Sequence, residues 1–384
     1  MKIAFVSEHF NPACGGQETY MNDFTKFLLN EGHEVHFYTQ DVHENKENLF
    51  FHQVKTSGLL SNFRFLQWVI FAKEAKRQAD QEGVDIIMGT GKCLGVNVFQ
   101  PHGGTVRASH RQNAILVRNP LHTFLKELSN FFSPKHIVAK SIESKQYANK
   151  NCQFVAISQM VKSHMKEFYN LSDDQITLVY NGIDTSRFSP VSEEKKLAAR
   201  KELGLSKTDT IFSTVAHNFK LKGIREVIEA LEEVKKTRQD FKFVVAGNGK
   251  QKKFKKLAEK LGVADEVIFL GSVDKPELVY QSSDAYLQAT WYDPCSLVVL
   301  ESLAAGLPTV TTKFNGAGEF IESGKDGYVI SRPDAKDELS SVLLKLFDNS
   351  HRKALSTNGR EKIKDQTLEK NFRQMLKVFE KAAK

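Results

Sequence analysis

Short, unbroken apolar runs alternate with amphipathic helical patterns along this chain, and the alternation starts afresh near residue 210. An unbroken run bounded by turns reads as a strand covered on both faces, and helices between such strands impose parallel crossovers. The first series opens with a strand at 3–7, a loop at 8–16, a helix at 17–30 and a returning strand at 35–39. Within that helix Tyr20, Met21, Phe24, Phe27 and Leu28 recur at the spacing of one buried face. Gly32 stands at the helix C′ position, where a positive φ is expected. Further strands are expected at 86–88, 96–99 and 154–157. The second series predicts strands at 211–216, 242–246, 267–270, 285–288, 309–311 and 328–330. Its helices are expected at 224–238, 251–261, 275–282, 297–305 and 336–347, the fourth stopped by Gly306 and Pro308. A final amphipathic helix is expected at 367–383. The fold class is therefore α/β, with two doubly wound domains built from right-handed βαβ units.

A chain of 384 residues is too long for one core and suits two domains. The turn-rich stretch 181–190 is the expected connection. It sets one domain at 1–185 and another at 186–365, with the terminal segment 366–384 packing back on the first. No apolar run reaches the roughly 20 residues that span a bilayer. The apolar start Ile3–Val6 is also too short for a signal peptide, so the chain is expected to begin at Met1 and stay in the cytoplasm. Cys14, Cys93, Cys152 and Cys295 have no C-x-x-C spacing, which argues against a disulfide framework or a zinc site. The net charge of +8 is concentrated between Val106 and Lys150, where eight lysines and arginines face only Glu127 and Glu143. The lysine-rich run 250–256 reads instead as a solvated helix face.

Four segments lie at the carboxyl ends of expected strands, where open α/β sheets bind ligands. Gly15-Gly16 opens the first helix, allowing close backbone approach and free N–H groups for an anion. By itself this is equally a tight turn, and it lacks the G-x-G-x-x-G spacing of a dinucleotide site. In the segment from His217 to Gly223, Lys220 and Lys222 precede a glycine that opens a helix. Two such cations can clamp a diphosphate and offset the charge that grows on it as a leaving group; a solvated basic loop is the plain alternative. The third segment runs from Tyr292 to Pro308. Ser296 is placed to N-cap its helix, Asp293 sits in the loop before it, and Glu301 lies in an otherwise apolar second turn, where a carboxylate needs partners. The fourth, Gln100-Pro101-His102-Gly103-Gly104, holds a histidine on a rigid turn, suited to a sugar hydroxyl or to a structural role.

Together with Val179-Tyr180-Asn181-Gly182-Ile183-Asp184 and Gly247-Asn248-Gly249, these segments resemble the family-4 retaining glycosyltransferases of GT-B fold. The branch that adds the first glucose to the lipopolysaccharide inner core is the most similar. The resemblance covers most of the chain, and its most specific part is the E-x7-E region. It implies two Rossmann-like domains facing a cleft, an acceptor-binding one first and a nucleotide-sugar-binding one second. It also implies that Glu301 binds the nucleotide ribose and that Asp293, one methylene shorter than the usual glutamate, contacts the donor sugar. The backbone of Cys295, Ser296 and Leu297 would line the sugar and phosphates, while Pro294 has no N–H to give. Lys220 and Lys222 match the phosphate-binding pair, Gly15 and Gly16 the diphosphate loop, and His102 the catalytic-loop histidine at the sugar 6-hydroxyl.

The implied reaction transfers a hexose, glucose, from a UDP-sugar to a lipopolysaccharide-core or similar glycolipid or oligosaccharide acceptor, with retention. No metal or other cofactor is expected, since lysines and helix N-termini can take the charge of the diphosphate. The sequence has no Asp-x-Asp pair, the usual ligand set for a donor-bound metal. The basic 106–150 stretch, with Phe124, Phe131 and Phe132 among its charges, is expected to bind the anionic inner face of the membrane. A basic lobe for a soluble acidic acceptor is the other reading. The competing functions are a nucleotide-sugar epimerase on the same architecture, or a transferase with another donor. A nucleic-acid binder lacks aromatic platforms and motif spacing here, and a dehydrogenase lacks its glycine fingerprint.

Overall fold

The computed structural model describes residues 1–10, 16–56, 63–116, 128–129 and 132–383. The chain divides into two compact units, Met1–Asn181 with Glu369–Lys384, and Gly182–Leu368.

The strands of the first unit are β1 (Lys2–Val6), β2 (Glu34–Thr39), β3 (Leu49–Gln53), β4 (Ile86–Gly89), β5 (Val98–Phe99), β6 (Gln153–Ala156) and β7 (Ile176–Leu178). They form one parallel sheet in the order β3-β2-β1-β4-β5-β6-β7. Ile3, Ala4 and Phe5 of β1 are fully buried, as an unbroken apolar central strand should be. Helix α1 (Gly16–Asn30) buries Tyr20, Met21, Phe24 and Leu28, and Gly32 beyond it has φ 80°. The C-terminal helix, Leu368–Ala382, belongs to this unit for nearly all its length. Its Phe372 stacks on Phe24 with ring centres 5.1 Å apart, and Phe379 lies 5.6 Å from the same ring. The sequence pattern did not anticipate β3 or β7. The first is a half-exposed edge strand and the second has three residues, so neither carries a continuous buried run.

The second unit holds β8 (Thr210–Val215), β9 (Phe241–Ala246), β10 (Val267–Gly271), β11 (Ala285–Leu287), β12 (Thr309–Thr312) and β13 (Tyr328–Ile330). Each lies where the sequence predicts a strand. The sheet is parallel in the order β10-β9-β8-β11-β12-β13. Its core joins Phe241, Phe243 and Val245 to Val227, Leu231 and Val234 of the helix Ile224–Lys235. Two helices here were not predicted. Glu193–Glu202 buries only Ala199 and Arg200, the arginine by donating to Ser282 O at 2.9 Å and to Asp284 at 2.6 Å. Asn349–Ile363 buries Leu355, Gly359 and Ile363 and is otherwise polar. Neither has the broad apolar stripe that marks a helix in sequence. The lysines of 252–256 lie exposed on a helix, as expected.

The strand order places β8 beside β11, although β9 and β10 come between them in the chain. That reversal is the switch point of the sheet, where the loops leaving neighbouring strands diverge and open a crevice. The Lys222 loop follows β8 and the Asp293 loop follows β11. Among the described residues, no helix is long and apolar enough to cross a membrane.

Candidate functional site

The loop after β8 folds into one tight turn. The Lys222 N–H donates to Asn218 O at 2.9 Å, and the Leu221 N–H to Asn218 Oδ1 at 3.1 Å. Gly223 then opens the next helix at φ 74°. A Cβ there would lie 1.8 Å from Ala289 O, so the backbones following β8 and β11 meet at a point where only glycine fits. The same two loops are tied at Leu221, whose carbonyl accepts from Trp291 N at 2.9 Å and Thr290 Oγ1 at 3.0 Å. Fixed in this way, the Lys222 ammonium forms an ion pair with the largely buried Asp293 carboxylate. Lys220 points elsewhere in character. It is exposed and makes no ion pair among the described residues, so the two lysines are not equivalent. His217, at the start of the loop, pairs through Nδ1 with Asn248 Oδ1 at 2.9 Å.

Asp293 is held through its backbone as well. Its N–H donates to Phe314 O and its carbonyl accepts from Gly316 N, both at 2.9 Å, in a short parallel bridge to the segment after β12. Cys295 is buried and forms no disulfide, and Pro294 and Leu297 are partly buried. Ser296 occupies the N-cap position of the helix Leu297–Ala304, but it does not cap the helix as the sequence predicts. Its hydroxyl donates instead to Oε1 of the fully buried Gln288, at 2.8 Å. The first-turn N–H groups of Leu297 and Val298 have no intrahelical acceptor, the usual condition of a helix start.

Glu301 lies on the second turn of this helix. The sequence leaves its partners to a ligand; the structure supplies one from the protein, the Tyr280 hydroxyl, which donates to Oε2 at 2.7 Å. Burial pushes the Glu301 carboxyl up to about 6, against the opposing pull of the Tyr280 hydrogen bond and the Arg187 charge. Burial also raises the Tyr286 phenol, and the charges of Glu301 and Asp293 add to that rise. Both carboxylates therefore lie within electrostatic reach of one hydroxyl. The structure thus gathers Lys222, Asp293, Ser296, Leu297 and Glu301 within the second unit.

His102 and Gly16 belong to the first unit. The His102 Nε2 pairs with Gln100 Oε1 at 3.1 Å, and its ring lies 4.9 Å from that of Tyr20. Burial lowers its pKa to about 4, so the imidazole is neutral at neutral pH. With Gln100 Oε1 as acceptor, Nε2 carries the proton and Nδ1 keeps its lone pair. Gly16 is exposed as the first residue of α1. Gly15, Phe124 and Phe131 lie outside the described residues. Tyr280, Gln288 and Asn315 escaped the sequence reading; only Asn315-Gly316 carried a signal, that of a turn. Among the described residues, no three His, Cys, Asp or Glu side chains are grouped to hold a metal ion.

Two Rossmann-like units, each a parallel sheet with helices, give the chain the GT-B fold. A family model described as Glycosyltransferase Family 4 matches residues 14–187, and one described as Glycosyl transferases group 1 matches residues 195–362. The chain belongs to the family-4 glycosyltransferases of GT-B type. Lipopolysaccharide glucosyltransferase WaaG of Escherichia coli K12 is 25% identical, over 96% of this chain and 96% of its own. N-acetyl-alpha-D-glucosaminyl L-malate synthase of Bacillus anthracis is also 25% identical, over 92% of this chain and 91% of its own. The crystal structure of WaaG superposes with a TM-score of 0.82 at 21% identity, covering 98% of this chain and 99% of that one. Anabaena HepE in complex with UDP-glucose gives 0.72 at 17% identity, covering 99% of this chain and 100% of that one. The resemblance drawn from the sequence is confirmed. The epimerase alternative falls with it, because both family models are of transferases.

Proposed function

We propose that this glycosyltransferase moves glucose from UDP-glucose to a lipopolysaccharide-core or similar glycolipid acceptor, with retention and without a metal ion. The observation that carries this reading is the pairing of Lys222 with Asp293 at the switch point, beside the open helix start at Ser296–Leu297. The names of the relatives support the sugar and the acceptor class: WaaG is a lipopolysaccharide glucosyltransferase, and HepE holds UDP-glucose.

In this reading the donor diphosphate takes Lys222 and the N–H groups of Leu297 and Val298, with Lys220 as a more exposed second cation. The Gly15-Gly16 loop assists at the diphosphate. Glu301 accepts from the ribose hydroxyls, Asp293 from hydroxyls of the sugar, and the backbone of Cys295 and Ser296 lines the same space. The neutral His102 hydrogen-bonds a sugar hydroxyl. The bond from the anomeric carbon to the diphosphate oxygen breaks as the bond to the acceptor oxygen forms on the same face. The acceptor proton passes to the departing diphosphate. A fixed cation and amide dipoles that stabilise the leaving charge do the work a metal would otherwise do.

The acceptor is met at a membrane on the cytoplasmic side. Within the basic 106–150 stretch, Phe132 is 67% exposed and Ile137 is 52% exposed, on either side of the exposed Lys135. Apolar side chains set among cations suit an anionic bilayer surface better than a soluble acidic partner. The test is incubation with UDP-, GDP- and ADP-sugars, with and without a glycolipid acceptor and with a chelator, reading nucleotide release. Acceptor-dependent release of UDP that survives the chelator supports the proposal. Release confined to another nucleotide, or abolished by the chelator, refutes that part of it.

A further inference from the structure

Asn315 joins the two halves of the proposed donor site. It lies just after β12, is 3% exposed, and has each polar side-chain atom engaged. Its Oδ1 accepts from Ser296 N at 3.2 Å and Ala317 N at 3.0 Å. Backbone amides can only donate, so these two bonds fix which end of the side-chain amide is oxygen. Nδ2 must then donate, and it does so to Thr311 Oγ1 at 3.0 Å and Gln288 Oε1 at 3.2 Å. That assignment fixes Gln288 in turn, and makes the Ser296 hydroxyl the donor in its bond to Gln288 Oε1.

Two consequences follow for the site. The hydrogen of the Ser296 hydroxyl is already committed, so Ser296 offers a phosphate no proton. Anion recognition at this helix start falls to the Leu297 and Val298 amides, and their direction depends on the Ser296 peptide that Asn315 holds. The residues on either side of Asn315 meanwhile clamp the backbone of Asp293, through Phe314 O and Gly316 N. One buried, uncharged side chain thus sets the spacing between the Asp293–Lys222 pair and the open amides.

We propose that Asn315, braced by Gln288, is a positioning residue that holds this spacing to fit a nucleoside diphosphate. The proposal rests on the donor-site reading above. A nucleoside monophosphate engages Glu301 through its ribose and makes little use of the spacing. The second phosphate of a diphosphate needs Lys222 and the helix amides together. Removing the Asn315 side chain leaves two buried N–H groups without acceptors, and the Ser296 peptide turns to satisfy its own.

The test is calorimetric titration of the full chain with UMP and with UDP, for wild type, Asn315→Ala and Gln288→Leu, with melting temperatures recorded alongside. In Asn315→Ala, UDP affinity is expected to fall at least tenfold while UMP affinity stays within about threefold. Gln288→Leu should shift the same ratio at least threefold. Gln288→Leu removes the acceptor of the Ser296 hydroxyl and one of the two acceptors of Asn315 Nδ2 but leaves the Ser296 N and Ala317 N bonds to Asn315 Oδ1 in place. It therefore loosens the brace without removing Asn315, and its melting temperature checks that the fold is kept even should Asn315→Ala lose it. Equal loss of UMP and UDP would mean a merely structural role and overturn the proposal, as would an unchanged ratio. A wild type that binds neither nucleotide overturns the uridine donor site itself, and the positioning role with it.

Discussion

The Lys222 ammonium meets the Asp293 carboxylate across two loops that leave the neighbouring strands β8 and β11. The pair is held by the protein's own contacts, because Leu221 O, Thr290 and Trp291 tie the loops and Gly223 lets them touch. Preorganised charge of this kind stabilises a leaving group without reorganisation during reaction. Lys222→Ala should lower kcat by about 10²–10³, the scale for losing one such stabiliser. Lys220→Ala, at an exposed and unpaired position, should lower it by less than about tenfold on the same reasoning. Steady-state release of UDP from the donor in both variants checks the difference.

Glu301 gives the site a pH dependence. Its carboxyl is raised from 4.5 to about 6, chiefly by burial, so protonation favours the folded chain. The stability due to this group is fully present below the lower value and is lost as pH rises through the higher one. Binding runs the other way, since an ionised carboxylate accepts from ribose hydroxyls more strongly than the neutral acid does. UDP should bind more weakly as pH falls through about 6. Glu301→Gln should bind UDP weakly throughout, lose that inflection, and melt no lower than wild type at pH 7.5. Titrations and melts between pH 5 and 8 check all three outcomes.

Gly223 tests the contact between the loops. Alanine there would take a left-handed φ of 74° and set a Cβ 1.8 Å from a backbone carbonyl oxygen, which cannot rotate away. Gly223→Ala should destabilise the second unit by about 3 kcal/mol, the scale for combined backbone strain and overpacking. Urea unfolding measures it.

The exposed apolar groups of the basic stretch test the membrane reading. Phe132→Ser combined with Ile137→Ser should reduce flotation with vesicles rich in anionic lipid at least threefold and leave UDP release from the donor, measured with a soluble acceptor, unchanged. Equal flotation on neutral and anionic vesicles would contradict the proposed attachment.

The sheet of the second unit was legible because its strands are short stretches rich in β-branched, aromatic and aliphatic residues, buried or partly buried along their length and set between helical patterns. The unforeseen elements lack such a stretch: β3 is a half-exposed edge, and the Glu193–Glu202 helix buries an arginine rather than an apolar stripe. The site divides along the same line. Lys222, Asp293 and Glu301 stood out because charge in apolar or glycine-rich surroundings needs an explanation. Tyr280, Gln288 and Asn315 did not, since a buried neutral polar residue is recognised only once its partners in other segments are known. The Ser296 hydroxyl shows the limit of local reading. Its position fits an N-cap, but Gln288, eight residues earlier in the chain, takes its hydrogen.

The most direct test is a crystal structure of this chain with UDP bound. The account predicts the diphosphate at the carboxyl ends of β8 and β11, within hydrogen-bonding distance of Lys222 Nζ and the Leu297 N–H, with the ribose hydroxyls on Glu301. UDP bound elsewhere on the chain, with the Lys222–Asp293 pair untouched by phosphate, would contradict it.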